Sequence, residues 1–232
     1  MTDHLRLTWP DPAPFAGRDG RPIRLLAVSD EVDPALESLR TREAIGAVDL
    51  VIGCGDLDPP YLAFLADAFR VPTLFVRGNH DVGAAWSATG RQMLPEPMAD
   101  GRVATEDSLR LVGFSGSPRY APHGRDRTEQ QVSSVAMWWR VLSAWPRLAG
   151  AAPLLVLSHA APRDLNDAPD HAHRGFTSFR WLAERIRPPL WLHGHTSLVR
   201  RGVDARTVTH GGTLFVNVTG ATLVELTAPD AG

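Results

Sequence analysis

Short apolar runs alternate with segments of helical spacing along residues 23–76 of this 232-residue chain. The runs are typical of buried strands, because they are brief and end at polar or glycine residues. Strands that alternate with helices predict a parallel sheet built from βαβ units. The predicted strands are Ile23–Val28, Asp49–Ile52 and Thr73–Val76, and the predicted helices are Pro34–Ile45 and Pro60–Phe69.

The rest of the chain is less regular but extends the same pattern. Further buried strands are predicted at Leu109–Phe114, Leu154–Leu157 and Leu190–Leu192, and helices at Glu129–Leu148 and Phe176–Ile186. Glycines separate the last three predicted strands, so we expect antiparallel hairpins that complete a second sheet. These three strands are Arg206–His210, Leu214–Val218 and Thr222–Leu226.

The polar, proline-rich first segment predicts a loosely held leader over residues 1–22, followed by a single domain over residues 23–232. No secretory signal is recognised, and no apolar run approaches the roughly 18 residues of a membrane span. We therefore expect a cytoplasmic protein with no membrane partner. The single cysteine, Cys54, excludes an internal disulfide framework. A net charge of −2 argues against long nucleic acid as a partner.

Polar side chains with metal-binding chemistry follow five of the predicted strands. Ligands gather at the carboxyl ends of strands in open α/β sheets, so these side chains are candidates for one site. Carboxylates, an amide and imidazoles together suit a borderline divalent metal such as Mn²⁺, Fe²⁺ or Zn²⁺, with one or two ions per chain. The residues are Asp30, Asp56, Asn79, His80, His159, His193 and His195.

The order of these motifs resembles the calcineurin-like metallophosphoesterase superfamily. The family pattern is D-x-H, G-D-x-x-D, G-N-H-D/E, an isolated His, and G-H-x-H, and here it spans Asp30 to about Ser197. The resemblance implies a sandwich of two β-sheets flanked by helices, within the α/β class. It also implies metal-dependent hydrolysis of a phosphomonoester or phosphodiester by a metal-bound hydroxide, with a small phosphorylated substrate.

The resemblance assigns roles to individual residues. Asp56 resembles the carboxylate that bridges two ions. His80 resembles the histidine beside the scissile phosphate, and Asp81 the carboxylate that orients it. Asp30 resembles a terminal ligand of the second ion. The remaining ligands of the principal ion are expected to be Asn79, His159 and His195.

Two residues depart from the family pattern, and both stand where the family has a ligand of the same ion. Val32 stands at the histidine of D-x-H, and Ser197 at the last histidine of G-H-x-H. The chain is therefore expected to hold one tight ion and one weak or absent ion. Glu31 is expected to be poorly placed to compensate. Residues that could contribute to the metal or the substrate are His193, Asp58, Asp33, Arg119 and Arg174.

Two further interpretations concern catalysis and assembly. The missing ligands favour, as an alternative, a catalytically weak regulatory protein that keeps the fold and binds a metal or a nucleotide. Three tryptophans in the predicted helix Glu129–Leu148 could pack in the core or form a homodimer contact. His171 and His173 are expected in a solvated loop, with a role near the substrate as the alternative.

Overall fold

A computed structural model describes residues 3–90, 92–119, 127, 131–132, 152–197 and 206–229. Eleven strands and three α-helices lie within these residues, and we number them in chain order. The helices are α1 (Leu39–Ile45), α2 (Pro59–Phe69) and α3 (Thr177–Ile186). The strands are β1 (Asp3–Thr8), β2 (Ile23–Ser29), β3 (Leu50–Gly53), β4 (Thr73–Phe75), β5 (Val103–Glu106), β6 (Leu109–Phe114), β7 (Leu154–Ser158), β8 (Leu190–His193), β9 (Thr207–His210), β10 (Thr213–Asn217) and β11 (Gly220–Thr227).

The described strands form two mixed sheets. The first sheet has the order β1-β11-β2-β3-β4, and the second has the order β5-β6-β7-β8-β10-β9. Strands β2, β3 and β4 are mutually parallel, as are β6, β7, β8 and β10. Because the carboxyl ends of parallel strands lie at one edge of a sheet, each sheet presents its strand-end loops together.

Apolar side chains form three layers around the sheets. Leu25 and Ile52 of the first sheet belong to the central layer, together with Leu157 and Leu192 of the second. Helix α2 packs on the outer face of the first sheet, and α3 packs on the outer face of the second. Both sheets are therefore covered on both faces, which is why their central strands are continuous apolar runs in the sequence. This α/β sandwich of two sheets flanked by helices confirms the expected fold class.

The predicted loose leader over residues 1–22 is wrong for its described part. Strand β1 pairs in parallel with β11, with Asp3 opposite Thr222 and Thr8 opposite Thr227. Trp9 is 1% exposed and Phe15 is also buried, so both belong to the central core. The polar composition of the segment reflects an edge strand whose exposed positions alternate with partly buried ones.

The structure also corrects two local predictions. The strand near Thr222 is β11, which leaves the second sheet and pairs antiparallel with β2 in the first; only β9 and β10 form the expected hairpin. The predicted helix Pro34–Ile45 is a 3₁₀ turn (Pro34–Glu37) followed by α1, because Ser38 between them is extended. The predicted helix Glu129–Leu148 and its tryptophans lie outside the described residues, apart from residues 131 and 132.

Candidate metal centre

Polar residues that follow five strands meet at one edge of the sandwich. Asp30, Asp56 and Asn79 follow β2, β3 and β4, which are neighbours in the first sheet. His159 and His195 follow β7 and β8, which are neighbours in the second sheet. The two imidazole rings contact each other edge to face, with 4.8 Å between their centres. The structure thus brings both sheets into a single site.

His159 connects the two sheets at the centre of this site. Its Nε2 atom lies 2.9 Å from Oδ1 of Asn79 and 3.3 Å from Oδ2 of Asp56. One ligand atom from each of Asp56, His159 and His195 lies within 4.8 Å of the other two. Metal–ligand bonds of about 2.0–2.3 Å place two ligand atoms up to about 4.5 Å apart. The cluster is therefore compact enough to close around one ion after a small adjustment.

The ring nitrogens of both histidines are set by backbone carbonyl groups. His159 donates from Nδ1 to the carbonyl oxygen of Cys54 (2.8 Å), and His195 donates from Nε2 to the carbonyl oxygen of Ala172 (2.8 Å). A carbonyl only accepts, so the bonded nitrogen of each ring carries a hydrogen. Such a partner fixes the orientation of a metal-binding histidine. The other nitrogen of each ring is the one that would bind a cation.

Burial and neighbouring charges set the pKa values of these two histidines. Burial and the charge of His159 lower the pKa of His195 to about 3, so its ring is neutral and able to bind a metal. Burial also lowers the pKa of His159, but the carboxylates of Asp56 and Asp30 raise it to about 9. The proton on His159 provides positive charge beside Asp56. A divalent cation would replace that proton, so metal binding is expected to release it.

The donor chemistry fits one borderline divalent ion. Two imidazoles, a carboxylate and an amide oxygen are suitable ligands for Mn²⁺, Fe²⁺ or Zn²⁺. The ligands would be Asp56, Asn79, His159 and His195. Asn79 and both histidines are buried, which limits competition from water.

Close backbone contacts explain the glycines in these motifs. A Cβ atom on Gly78 would lie 2.0 Å from Oδ1 of Asp56, and one on Gly194 would lie 2.3 Å from Oδ2 of Asp30. Asp30, Asp56 and His195 also adopt left-handed backbone conformations, with φ angles of 59°, 55° and 66°. Such conformations cost about 1–3 kcal/mol each and are typical of functional sites.

Asp81 bonds to backbone N–H groups, and its predicted role in orienting the His80 imidazole stays a prediction. Its Oδ2 atom accepts hydrogen bonds from the backbone N–H groups of Gly78 (2.7 Å) and Asp56 (3.0 Å). Burial raises the pKa of Asp81 to about 6. Asp81 therefore ties the loop after β4 to the loop after β3. It positions the metal ligands Asn79 and Asp56 through their backbone.

Asp30 holds the backbone of the last motif. Its Oδ2 atom accepts hydrogen bonds from the hydroxyl of Ser29 (2.6 Å) and the backbone N–H of His195 (2.8 Å), with the hydroxyl of Thr219 farther away at 3.4 Å. One carboxylate oxygen is thus committed to protein donors. The sequence does not predict the contact between Asp30 and His195, because it joins two loops through a backbone group.

The second ion of the family lacks a comparable donor set here. Val32 is exposed and offers no donor atom, and the hydroxyl of Ser197 lies 3.5 Å from a carboxylate oxygen of Glu31. Glu31 is exposed. Among the described residues, the metal cluster contains Asp56, His159 and His195 but not Asp30. The donor set for a second ion is therefore poorer than the donor set for the first.

A cavity of about 220 Å³ opens beside the metal ligands. His80 is exposed and lines it, and the backbone N–H of His80 donates to Oδ1 of Asp56 (2.8 Å). Asp58 is also exposed and lines the cavity. The further lining residues are Asp30, Val32, Asp56, Leu57, Asp81, Val82, Ala85 and Trp86.

The other suggested contributors lie away from this cavity lining. Asp33 is buried and caps the 3₁₀ turn by accepting from the backbone N–H of Ala35 (3.0 Å). His193 is buried, and burial lowers its pKa to about 4. Arg174 is exposed and donates to the carbonyl of Pro169 (3.2 Å). Arg119 is exposed, with its backbone N–H bonded to Arg127.

His173 lies closer to the site than the expected solvated loop implies. Its ring centre is 5.2 Å from that of His195, and its Nδ1 atom bonds to Oδ1 of Asp170 (2.8 Å). Asp170 also accepts from the backbone N–H groups of Ala172 and His173. This turn supports the Ala172 carbonyl that holds His195. The His-x-His pattern was the only sequence signal for this contact.

The fold and the donor cluster together define an α/β sandwich protein with a metal site at its strand ends. The calcineurin-like phosphoesterase family matches residues 23–197, well over half of the chain, and the chain belongs to that family. No curated protein sequence matches the chain significantly. Among the described residues, no helix has both the length and the apolar character needed to cross a membrane.

Solved structures share the fold at low sequence identity. One crystal structure superposes with a TM-score of 0.62 and 13% identity, over 88% of this chain and 95% of the other. The protein TT1561 of Thermus thermophilus gives a TM-score of 0.54 and 15% identity, over 86% and 90% of the two chains. Zinc-bound Vps29 from Entamoeba histolytica is more distant, with a TM-score of 0.40, 11% identity and coverage of 87% and 77%.

Proposed function

We propose that this protein hydrolyses phosphate esters with a single divalent ion. The observation that carries the proposal is the convergence of Asp56, Asn79, His159 and His195 around one point beside an open cavity. Membership of the calcineurin-like phosphoesterase family supports the reaction class. Manganese, iron or zinc suits the donor set.

Different residues of the chain would bind the ion, donate a proton to the ester and position the loops. When bound, the ion supplies positive charge to the phosphate oxygens and makes a neighbouring water more acidic. His80 lines the cavity and is anchored by its backbone to Asp56, so its imidazole can donate a hydrogen bond or a proton to the ester. General acid catalysis of this kind contributes about 10²–10⁴-fold to a rate. Asp81 and the glycines keep the loops in place.

Hydrolysis of bis(p-nitrophenyl) phosphate with added Mn²⁺ tests this function. Asp56→Asn and Asn79→Ala are each expected to lower metal-dependent kcat/KM at least 100-fold, because each removes a ligand of the ion. His80→Ala is expected to lower kcat by about 10²-fold while metal binding persists. Asp67→Asn, which changes an exposed aspartate on α2, is the matched control and should retain full activity. Full activity in the Asp56 and Asn79 variants would refute the site.

A regulatory binding protein is the second candidate function. It is favoured by the poor donor set for a second ion, at Val32 and Ser197. A wild-type protein that binds one equivalent of Mn²⁺ but does not hydrolyse activated esters would support this candidate. Measurable turnover that requires His80 would support the enzyme.

A further inference from the structure

Two chemically different groups of residues line the cavity beside the metal ligands. The polar group consists of four carboxylates and His80. The apolar group, which we call the apolar wall, consists of Val32, Leu57, Val82, Ala85 and Trp86. Most ligand sites combine an apolar surface with a few polar groups that fix orientation. The wall therefore places an apolar surface directly beside the groups that would bind a phosphate.

Two residues of the wall are unusually exposed. Val32 is 44% exposed and Val82 is 48% exposed, and they are two of the five large apolar side chains exposed in the described part of the chain. A single exposed valine needs no explanation. Here, however, two of them line the same cavity, and Val32 stands where the family pattern has a metal-binding histidine. The substitution thus replaces a metal ligand by an apolar contact surface.

Charge limits the kind of phosphate that can enter. Asp30, Asp56, Asp58 and Asp81 all line the cavity. Like charges at short range repel one another, and the repulsion rises with the charge of the ligand. One divalent ion offsets only part of this negative charge. A monoanionic phosphodiester is therefore favoured over a dianionic phosphomonoester.

We propose that the apolar wall binds the apolar ester group of a monoanionic phosphodiester, with Val32 and Val82 as specificity-determining residues. The proposal rests on the proposed function, because it names the substrate class of the same site. The cavity volume of about 220 Å³ is below the range of roughly 300–1,000 Å³ that encloses drug-sized ligands. It therefore suits one small group rather than a whole polymer.

Binding of unreactive diesters tests the proposal without relying on turnover. Diphenyl, dibutyl and dimethyl phosphate are all monoanions and differ only in their ester groups. Titration calorimetry with the Mn²⁺-supplemented protein should show diphenyl phosphate binding about tenfold more tightly than dimethyl phosphate, because the wall removes apolar surface from water. If dibutyl phosphate binds as tightly as diphenyl phosphate, the wall accepts any apolar ester group. If dibutyl phosphate binds more weakly, the wall prefers an aromatic ester group. Either result supports the proposal.

Conservative variants test whether Val32 and Val82 cause the preference for diphenyl over dimethyl phosphate. The double variant Val32→Thr with Val82→Thr keeps side-chain shape but adds hydroxyls, and it should reduce the diphenyl preference to about threefold or less. Val103→Thr, at an exposed valine of β5, is the matched control and should keep the full preference. Thermal unfolding of each variant checks the fold. An unchanged preference in the double variant, or no preference in the wild type, would overturn the proposal.

The outcomes separate this proposal from the proposed function. Selective diester binding without any hydrolysis would leave the wall intact and refute the enzyme. Hydrolysis of bis(p-nitrophenyl) phosphate without selective binding would keep the enzyme and refute the wall.

Discussion

The carboxylate of Asp30 accepts a hydrogen bond from the backbone N–H of His195 at 2.8 Å, although the two residues are 165 positions apart. This bond joins the loop after β2 in the first sheet to the loop after β8 in the second. His195 is one of the four candidate metal ligands, so Asp30 acts on the metal site through the backbone of its neighbour. Asp30 thus has a positioning role in this structure, and its role as a terminal metal ligand stays a prediction.

Replacing Asp30 should weaken the principal metal site. Asp30→Ala removes the acceptor for the His195 N–H, which should cost about 1–3 kcal/mol of unfolding free energy. Loss of such a supporting contact should also lower Mn²⁺ affinity about 10–100-fold by calorimetry. Asp30→Asn keeps one acceptor and should recover part of both losses. If either variant lost a second equivalent of metal but kept the first at full affinity, Asp30 would be a ligand after all.

Two added histidines should create the missing second metal site. We expect Val32→His with Ser197→His to raise bound Mn²⁺ from about one towards about two equivalents per chain, because each adds an imidazole donor where the family pattern has one. Elemental analysis after reconstitution and desalting measures this ratio. Val103→His is the matched control for adding a histidine at an exposed valine. Two equivalents already bound to the wild type would contradict the single-ion assignment.

Gly78→Ala should disrupt the site by steric conflict. Its Cβ would lie 2.0 Å from Oδ1 of Asp56 and 2.6 Å from the backbone nitrogen of the same residue. We expect a loss of about 2 kcal/mol in unfolding free energy and at least tenfold weaker metal binding. Gly20→Ala is the control, because Gly20 has a φ of +76° but no atom within 4 Å of its added Cβ. It should cost about 1 kcal/mol and leave metal binding unchanged.

Glu225 should make the free energy of unfolding fall more steeply as the pH is lowered. It accepts from Arg6 (2.9 Å) and Arg24 (2.9 Å) and lies 3.2 Å from His4, so it joins β11 to the strands on either side. Burial raises the pKa of Glu225, but the two arginines outweigh it and hold that pKa below 4.5. A carboxylate with a lowered pKa stabilises the fold above its ordinary pKa, and that stability is lost as pH falls through the folded value.

Urea unfolding from pH 3 to pH 8 measures this contribution. Glu225→Gln should lower unfolding free energy by about 1–2 kcal/mol at pH 7, because it removes the charge from these hydrogen bonds. The difference from wild type should shrink below pH 4.5, where the wild-type carboxylate becomes protonated. Glu43→Gln, on the exposed side of α1, should follow the wild-type curve. A constant difference between Glu225→Gln and wild type at every pH would show that charge is not involved.

Local pattern is sufficient to predict most of the central strands. The apolar run Leu109–Phe114 predicts β6 with the bounds that the structure shows, because a strand buried on both faces has an unmistakable apolar run. The edge strand β1 escapes prediction, because its half-exposed residues resemble a polar loop. The pairing of β11 with β2 also escapes it, since a glycine between two strands indicates a turn but not which sheet the second strand joins.

The sequence by itself determined the donor set and its order along the chain. Asp56, Asn79, His159 and His195 stand at strand ends, and their side-chain chemistry is independent of packing. Only the tertiary structure decided how these donors are held. The carbonyl groups of Cys54 and Ala172 and the N–H partners of Asp30 and Asp81 are backbone groups that every residue type shares. Their partners are selected by the packing of two sheets, which brings residues far apart in sequence within hydrogen-bonding distance.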